Sequence, residues 1–514
     1  MPAKWLKDAV FYEIYPQSFK DTNKDGIGDL NGIIEKLDYI RSLGCNALWI
    51  NPCFDSPFHD AGYDVRDYKK VASRYGTNED LYRLFDVAHK KGIRVLLDLV
   101  PGHTSEEHPW FRQSQSADQP NEFSNRYIWT DNWFCGSRDL NYIAGEAERP
   151  NAYIVNFFKC QPALNFGFLQ PREPWQLPMD HPDCVATREA MKDVMRFWLS
   201  HGCDGFRVDM AASLVKYDDE VKSGTCAIWR EVRSMLDSEF PEAAIVAEWA
   251  RPDLSLPAGF DMDFILNDPH THYASLLRDY NAPVDNTYFK KDAPARDINQ
   301  FMDVYRRWYE QTKGVGYICL PTCNHDTPRP RFGLDETELK LAYAFIFTMP
   351  GVPFLYYGDE IGMRYQDGLP TKEGGYQRTG TRTPMQWDDS KNLGFSEAEA
   401  EALYLPVDPA ADAPTVAAQE ADPDSLLNTV KALLKLRHEN EDLQADGPFE
   451  VLCSEPEKPF VYRRGGLLLA VNPAGEAATA KLPAQGMTPV FTLGDAKVNG
   501  ESLLLGAQSF AVLK

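Results

Sequence analysis

The feature that most constrains this chain is an alternation. Short β-rich apolar runs recur from Val10 to about Tyr365, each followed by a charged segment of helical period. The runs are Val10–Tyr15, Ala47–Asn51, Val95–Val100, Gly205–Met210, Ala244–Trp249, Phe264–Leu266, Tyr317–Cys323 and Phe354–Tyr357, eight in all. Eight strand-helix units match an α/β fold of the (β/α)8 TIM barrel type better than a doubly wound sheet. At 514 residues the chain is too long for that core alone and calls for two or three domains.

Two stretches break the alternation. About a hundred residues separate the third run from the fourth, and the Trp-, Asn- and Pro-rich part of them, Pro109–Pro178, lacks helical period. That is too long for a loop and predicts an inserted subdomain. After a last helix-like pattern at Leu433–Arg437, the segments Val461-Tyr462, Leu467–Val471 and Val490–Leu493 between Gly and Pro turns read as a small all-β domain. The expected division is 1–103 and 179–440 for the barrel, 104–178 for the insertion and 441–514 for the β tail.

Charge and composition narrow the partners. A net charge of −23 repels polyanions and argues against nucleic acid. The stretch Met1–Tyr15 has no apolar core of a signal peptide, and no segment reaches membrane-spanning length. The ten cysteines are scattered, which fits reduced thiols in a cytoplasm. Aromatic residues at 12% exceed what packing asks, and rings are also flat surfaces on which sugars and bases can stack.

In such a barrel the active site lies where the strands end. The third run closes as Asp98-Leu-Val-Pro-Gly-His103, the fourth as Gly205-Phe-Arg207-Val-Asp209, the fifth as Ile245-Val-Ala-Glu248 and the seventh as Cys323-Asn-His325-Asp326. The second leads to His59-Asp60-Ala-Gly-Tyr63-Asp64. Arg207 and Asp209 are two apart, share a strand face, and would pair, favouring an ionised carboxylate. Glu248 follows only apolar residues, and partial burial suits it to be the acid partner. Two carboxylates tuned in opposite directions are the equipment of glycoside hydrolysis.

At these residues the sequence resembles glycoside hydrolase family 13, the α-amylase family, from about residue 5 to the C terminus. The resemblance implies a retaining mechanism, a (β/α)8 domain, an inserted B domain and a C-terminal β-sandwich. It makes Asp209 the nucleophile, Glu248 the acid and base, and Asp326 the group that holds the sugar hydroxyls. It has His103 and His325 donating hydrogen bonds to the sugar, Tyr63 stacking beneath it, and Asp98 positioning its neighbours. His59-Asp60 with Gly380-Thr-Arg382-Thr-Pro-Met-Gln-Trp387 is similar to the oligo-1,6-glucosidase and α-glucosidase branch, in which Asp60 and Arg382 would grip the 4-hydroxyl of a terminal glucose. That grip makes an enzyme exo-acting.

The loop Asp21-Thr-Asn23-Lys-Asp25-Gly-Ile27-Gly-Asp29 sets oxygen ligands at alternate positions around Gly turns, which suits Ca²⁺. It is no EF-hand, because its twelfth position is Gly32. Three departures from the family pattern stand out: Gly102 before the first His, Ala163 within Gln161-Pro-Ala163-Leu-Asn165, and Met210 after the nucleophile. Met210 matches neither the Val of α-1,6 enzymes nor the Ala or Thr of α-1,4 enzymes, so linkage stays open. The leading expectation is a cytoplasmic exo-α-glucosidase. Its rivals are a transglycosylase or trehalose-synthase-like isomerase with the same intermediate, and a non-catalytic relative of the transporter heavy-chain kind, which the retained Asp209, Glu248 and Asp326 argue against.

Overall fold

The computed structural model describes residues 2–134, 136–266, 268–279 and 283–514; Met1, Cys135, Asn267 and residues 280–282 lie outside the described residues. Eight parallel strands close into a barrel in chain order. They are β1 (Phe11–Ile14), β2 (Ala47–Ile50), β3 (Arg94–Leu99), β4 (Gly205–Val208), β5 (Ala244–Ala247), β6 (Met262–Phe264), β7 (Tyr317–Pro321) and β8 (Val352–Tyr356), with β8 pairing back to β1. The sixth strand sits two residues earlier than its apolar run suggests, since Asp263 interrupts the pattern. That acid is buried because its carboxylate accepts the backbone N–H groups of Trp249, Ala250 and Arg251, just past the end of β5.

The period-two alternation of a strand divides the barrel residues cleanly. Phe11, Trp49, Leu96, Val246, Phe264, Cys319 and Phe354 form one interior cluster. Their neighbours Tyr12, Leu48, Leu97, Phe206, Ile245, Leu320 and Leu355 pack with the helices in the main core. Continuing the inward rows by two residues reaches Glu13, Asn51, Asp98, Arg207, Asp209 and Glu248. A barrel filled by apolar side chains below thus ends in a polar layer above. Gly205 starts the row that carries Arg207 and Asp209; at φ +147°, a Cβ there would lie 1.8 Å from the Ala244 carbonyl oxygen, so only glycine lets β4 reach β5.

Between β3 and β4 the chain leaves the barrel. It forms the helix Pro109–Ser114, a two-stranded sheet of Tyr142–Ile143 with Tyr153–Ile154, and a small core of Ile128, Ile154, Ala163 and Phe168. After the helix Leu426–Glu439, a five-stranded antiparallel sheet and a three-stranded one enclose an apolar core that includes Val461, Leu468, Leu503 and Leu513. Arg437 and Arg464 are both buried. Arg437 donates to the carbonyls of Phe347, Met349 and Gly351, and Arg464 to those of Thr348, Gln444 and Pro448. Together they cap the C-terminal end of the helix Glu336–Thr348. Among the described residues no helix is long and apolar enough to cross a membrane.

Candidate active site

The inward rows of β3, β4 and β5 converge on one guanidinium. Arg207, 1% exposed, reaches Asp98 Oδ1 and Asp209 Oδ1 with Nη1, each at 2.9 Å, and Glu248 Oε2 with Nη2 at 2.8 Å. The Trp49 ring lies 5.0 Å from the guanidinium, and its Nε1 donates to Asp98 Oδ2 at 3.0 Å. Glu248 also accepts the Met210 N–H at 2.9 Å. Met210 stands at φ +44°, a left-handed conformation that costs a side-chain-bearing residue about 1–3 kcal/mol. The strain aims its N–H at the acid.

The sequence reading expects Arg207 to favour an ionised Asp209. The contact exists, but one guanidinium serves three carboxylates. Burial, and after it the Glu248 carboxylate, push Asp209 well above the usual carboxylate range against the pull of Arg207.

His325 anchors the opposite wall. Its Nδ1 lies 2.9 Å from Glu13 Oε1, and its Nε2 lies 2.7 Å from the Tyr63 hydroxyl and 3.2 Å from Asp326 Oδ2. Burial works against charge on the ring, but Asp326 and Glu13 outweigh it and push His325 up to about 9, so it is an imidazolium at neutral pH. Burial likewise opposes charge on Asp326, yet His325, Arg382 and Arg378 hold its carboxyl well below the usual range.

The expected pairing of Asp60 with Arg382 needs correction. Arg382, 2% exposed, sits behind the site: Nη2 holds Asp326 Oδ1 at 2.8 Å, Nε the His325 carbonyl at 2.9 Å, and Nη1 the Tyr15 hydroxyl at 3.3 Å. The arginine at the cavity wall is Arg378, whose Nη1 lies 2.9 Å from Asp326 Oδ1 and whose Nη2 lies 3.5 Å from Asp60 Oδ1. Arg378 lies within the short 3-10 helix Tyr376–Thr381 and Arg382 caps its C-terminal end, and spacing alone could not say which one turns inward. Asp60 Oδ2 accepts Gln161 Nε2 at 2.7 Å, while its buried Oδ1 accepts no hydrogen bond within the protein. A buried carboxylate oxygen facing a cavity without a donor awaits a ligand hydroxyl.

Tyr63 lines the cavity, stacked against His325 with centroids 5.5 Å apart. His103 is placed differently from its expected role: Nε2 donates to the Tyr63 carbonyl at 3.1 Å and Nδ1 accepts from Asn156 Nδ2 at 3.2 Å. Burial pushes the ring down to about 4, so it is neutral and fixes the Tyr63 loop. Asn156 continues to the Gly102 carbonyl and to the ammonium of the half-buried Lys216, which also donates to the Ser213 carbonyl at 3.0 Å. A Cβ on Gly102 would come within 3.0 Å of Asn156 Nδ2, so the departure at that position leaves room for this junction.

Asp60, Tyr63, His103, Phe157, Phe158, Asp209, Met210, Glu248, Asp326 and Arg378 enclose a cavity of about 230 Å³. A larger groove of about 570 Å³, bordered by Arg306, Tyr309 and Phe449, lies away from the strand ends and gathers none of these groups. Sequence reasoning missed Arg378, Glu13 and the two phenylalanines, and quoted Gln161 only as part of a motif, without its bond to Asp60. Of these only Glu13 carried a signal, as the one acid inside the apolar run Val10–Tyr15.

In the loop at 21–29 the oxygen ligands face inward to backbone. Asp21 accepts the N–H groups of Asn23, Lys24 and Gly26, Asp25 accepts that of Ile27, and Asp29 caps the helix Leu30–Leu43 through Gly32 N–H at 2.8 Å. The donor set, three carboxylates, an amide and the Ile27 carbonyl, is all oxygen and fits a hard cation.

A family model for the alpha amylase catalytic domain matches residues 13–446. The chain is 32% identical to an oligo-1,6-glucosidase of Heyndrickxia coagulans, over 91% of this chain and 92% of that one. It is also 32% identical to the trehalose synthase/amylase TreS of Mycobacterium tuberculosis, over 91% and 82%. Among solved structures it superposes on a trehalulose synthase from Pseudomonas mesoacidophila with a TM-score of 0.80, at 28% identity and 100% coverage of both chains. An isomaltulose synthase mutant from Erwinia rhapontici, in complex with its natural substrate sucrose, gives 0.81 at 28% identity and 99% coverage of both.

Proposed function

We propose that this chain, which belongs to the alpha-amylase family and is a glycoside hydrolase, is a retaining, exo-acting α-glucosidase for short α-gluco-oligosaccharides or disaccharides. The observation that carries the reading is the shared guanidinium: Asp209 and Glu248 contact the two Nη atoms of Arg207. That makes their carboxyls neighbours, in keeping with the separation of about 5–5.5 Å that distinguishes retaining from inverting pairs. In the reactive form Glu248 carries a proton and Asp209 is ionised. Asp209 attacks the anomeric carbon and forms a β-glucosyl ester as Glu248 gives its proton to the departing oxygen; Glu248 then takes a proton from water, which releases glucose and frees Asp209. Asp326 and the donorless oxygen of Asp60 accept hydrogen bonds from the sugar hydroxyls, and Arg378 donates from between them. Their junction closes the far wall, and the cavity of about 230 Å³ suits a single sugar unit, below the roughly 300–1,000 Å³ of pockets for larger ligands.

A substrate panel of maltose, isomaltose, sucrose, trehalose, kojibiose and nigerose, with products followed over time, tests this. Free glucose from the start supports hydrolysis at the non-reducing end; release of maltose from maltotetraose sinks the exo assignment. The likeness to synthases named for trehalose, trehalulose and isomaltulose favours a second reading, in which a sugar takes the glucosyl group in place of water. New disaccharides appearing before glucose would establish it.

The loop at 21–29 is a structural Ca²⁺ site in this proposal, held by Asp21, Asn23, Asp25, the Ile27 carbonyl and Asp29, remote from the chemistry. The described cysteines are free thiols, most of them buried, which supports a cytoplasmic setting.

A further inference from the structure

A second cluster of ligating atoms lies one residue away from the sugar site. The imidazole of His59, the carboxylate of Asp64 and the thiol of Cys160 place one ligand atom each within 4.8 Å of one another. His59 Nδ1 is 3.5 Å from Asp64 Oδ2. Zinc bonds of about 2.0–2.3 Å in a tetrahedron set ligand atoms about 3.3–3.8 Å apart, so the His59–Asp64 edge already has the right length and Cys160 needs to close in by about 1 Å. His59 is half-exposed and Cys160 is partly so, which gives an ion a way in and leaves a fourth position for water. Nitrogen, sulfur and oxygen donors together select a borderline-soft divalent cation, unlike the all-oxygen loop at 21–29.

The neighbours connect this cluster to the substrate site. His59 precedes Asp60, and Cys160 precedes Gln161, whose amide donates to Asp60 Oδ2 at 2.7 Å. The segment that carries Cys160 also brings Phe157 and Phe158 to the cavity wall. We propose that His59, Asp64 and Cys160 bind a Zn²⁺-type cation, and that binding slows the enzyme by drawing the 157–161 segment toward the 59–64 turn and disturbing the grip of Asp60. Binding exchanges the thiol proton for the metal; that proton is released to solvent, and no redox change occurs.

Co²⁺ is the probe for ligation and Zn²⁺ for inhibition, both on the full-length protein. A thiolate-to-cobalt charge-transfer band should appear in the near ultraviolet, vanish in Cys160→Ser, weaken in His59→Ala, and persist in Cys453→Ser. Equilibrium dialysis should show Zn²⁺ affinity falling at least about tenfold in Cys160→Ser. Saturating Zn²⁺ should lower kcat/KM several-fold in the parent protein and leave that of Cys160→Ser unchanged. A band and a Zn²⁺ affinity that survive in both Cys160→Ser and His59→Ala would overturn the site, and a metal-loaded parent as fast as the metal-free protein would overturn the inhibition. The spectral measurement needs no turnover, so it stands apart from the α-glucosidase reading.

Discussion

Arg378→Ala and Arg382→Ala, compared side by side, test the wall of the sugar site most sharply. Arg378 donates to Asp326 and to the Gly374 and Gly375 carbonyls of its own turn, and lies beside Asp60; Asp326 keeps His325 and Arg382 when it is removed. Its loss therefore costs binding of the terminal sugar more than folding. One hydrogen bond to a charged group is worth about 1.5–3 kcal/mol, which is about 10- to 150-fold in kcat/KM. Arg382 is buried and serves Asp326, the His325 carbonyl and the Tyr15 hydroxyl. Its removal leaves buried acceptors unpaired and costs about 3–5 kcal/mol of stability. Steady-state kinetics on p-nitrophenyl α-glucoside, together with calorimetric melting, separates the two. Arg378→Ala should lose kcat/KM with a near-native Tm, and Arg382→Ala should lower Tm by several degrees. The reasoning fails if Arg378→Ala keeps parental kcat/KM while Arg382→Ala loses it without any loss of Tm.

Glu248→Gln should lower kcat on maltose by about 10²–10⁴-fold, and less in the first step of p-nitrophenyl glucoside cleavage, whose leaving group needs no proton; equal losses on both would remove Glu248 from the acid role. Two histidines set opposite pH limits. His325 is raised to about 9, so its contribution to stability is complete below its unfolded value of about 6.5 and is lost as pH rises through about 9. His103 is depressed to about 4, so the unfolded chain binds the extra proton first and stability falls as pH drops from about 6.5 to about 4. Urea titrations across pH should show both flanks, with His103→Gln removing part of the acid one. Added Ca²⁺ at about 100 times its Kd should raise stability by about 2.7 kcal/mol, and Asp25→Ala should abolish that gain; an unchanged melt with Ca²⁺ and with chelator would dismiss the loop as a cation site.

The barrel and the carboxylates at its strand ends were legible because local rules write them. Two-residue periodicity puts Arg207 and Asp209 on one face, and each strand end advertises its polar residue. What escaped depends on contacts between distant segments. Glu13 meets His325 across 312 positions and Gln161 meets Asp60 across 101, and no period in the sequence encodes either. Arg378 and Arg382 show the finer limit, since the turn between them decides which one faces the cavity. The surroundings of Asp209 were half legible for a related reason: pairing with Arg207 is visible in sequence, whereas the sharing of that charge among three carboxylates appears only when β3, β4 and β5 are assembled.

The capping of Glu336–Thr348 by Arg464 changes how the C-terminal β domain should be regarded. A side chain of that domain and one of the preceding helix saturate the open carbonyls where the barrel turns from its last long helix into β8. The tail thus acts as a structural plug rather than an appended module. Two chains that differ only in how far they extend past residue 440 would differ in whether the Thr348 carbonyl just before β8 finds its donor, a side chain translated more than a hundred positions later.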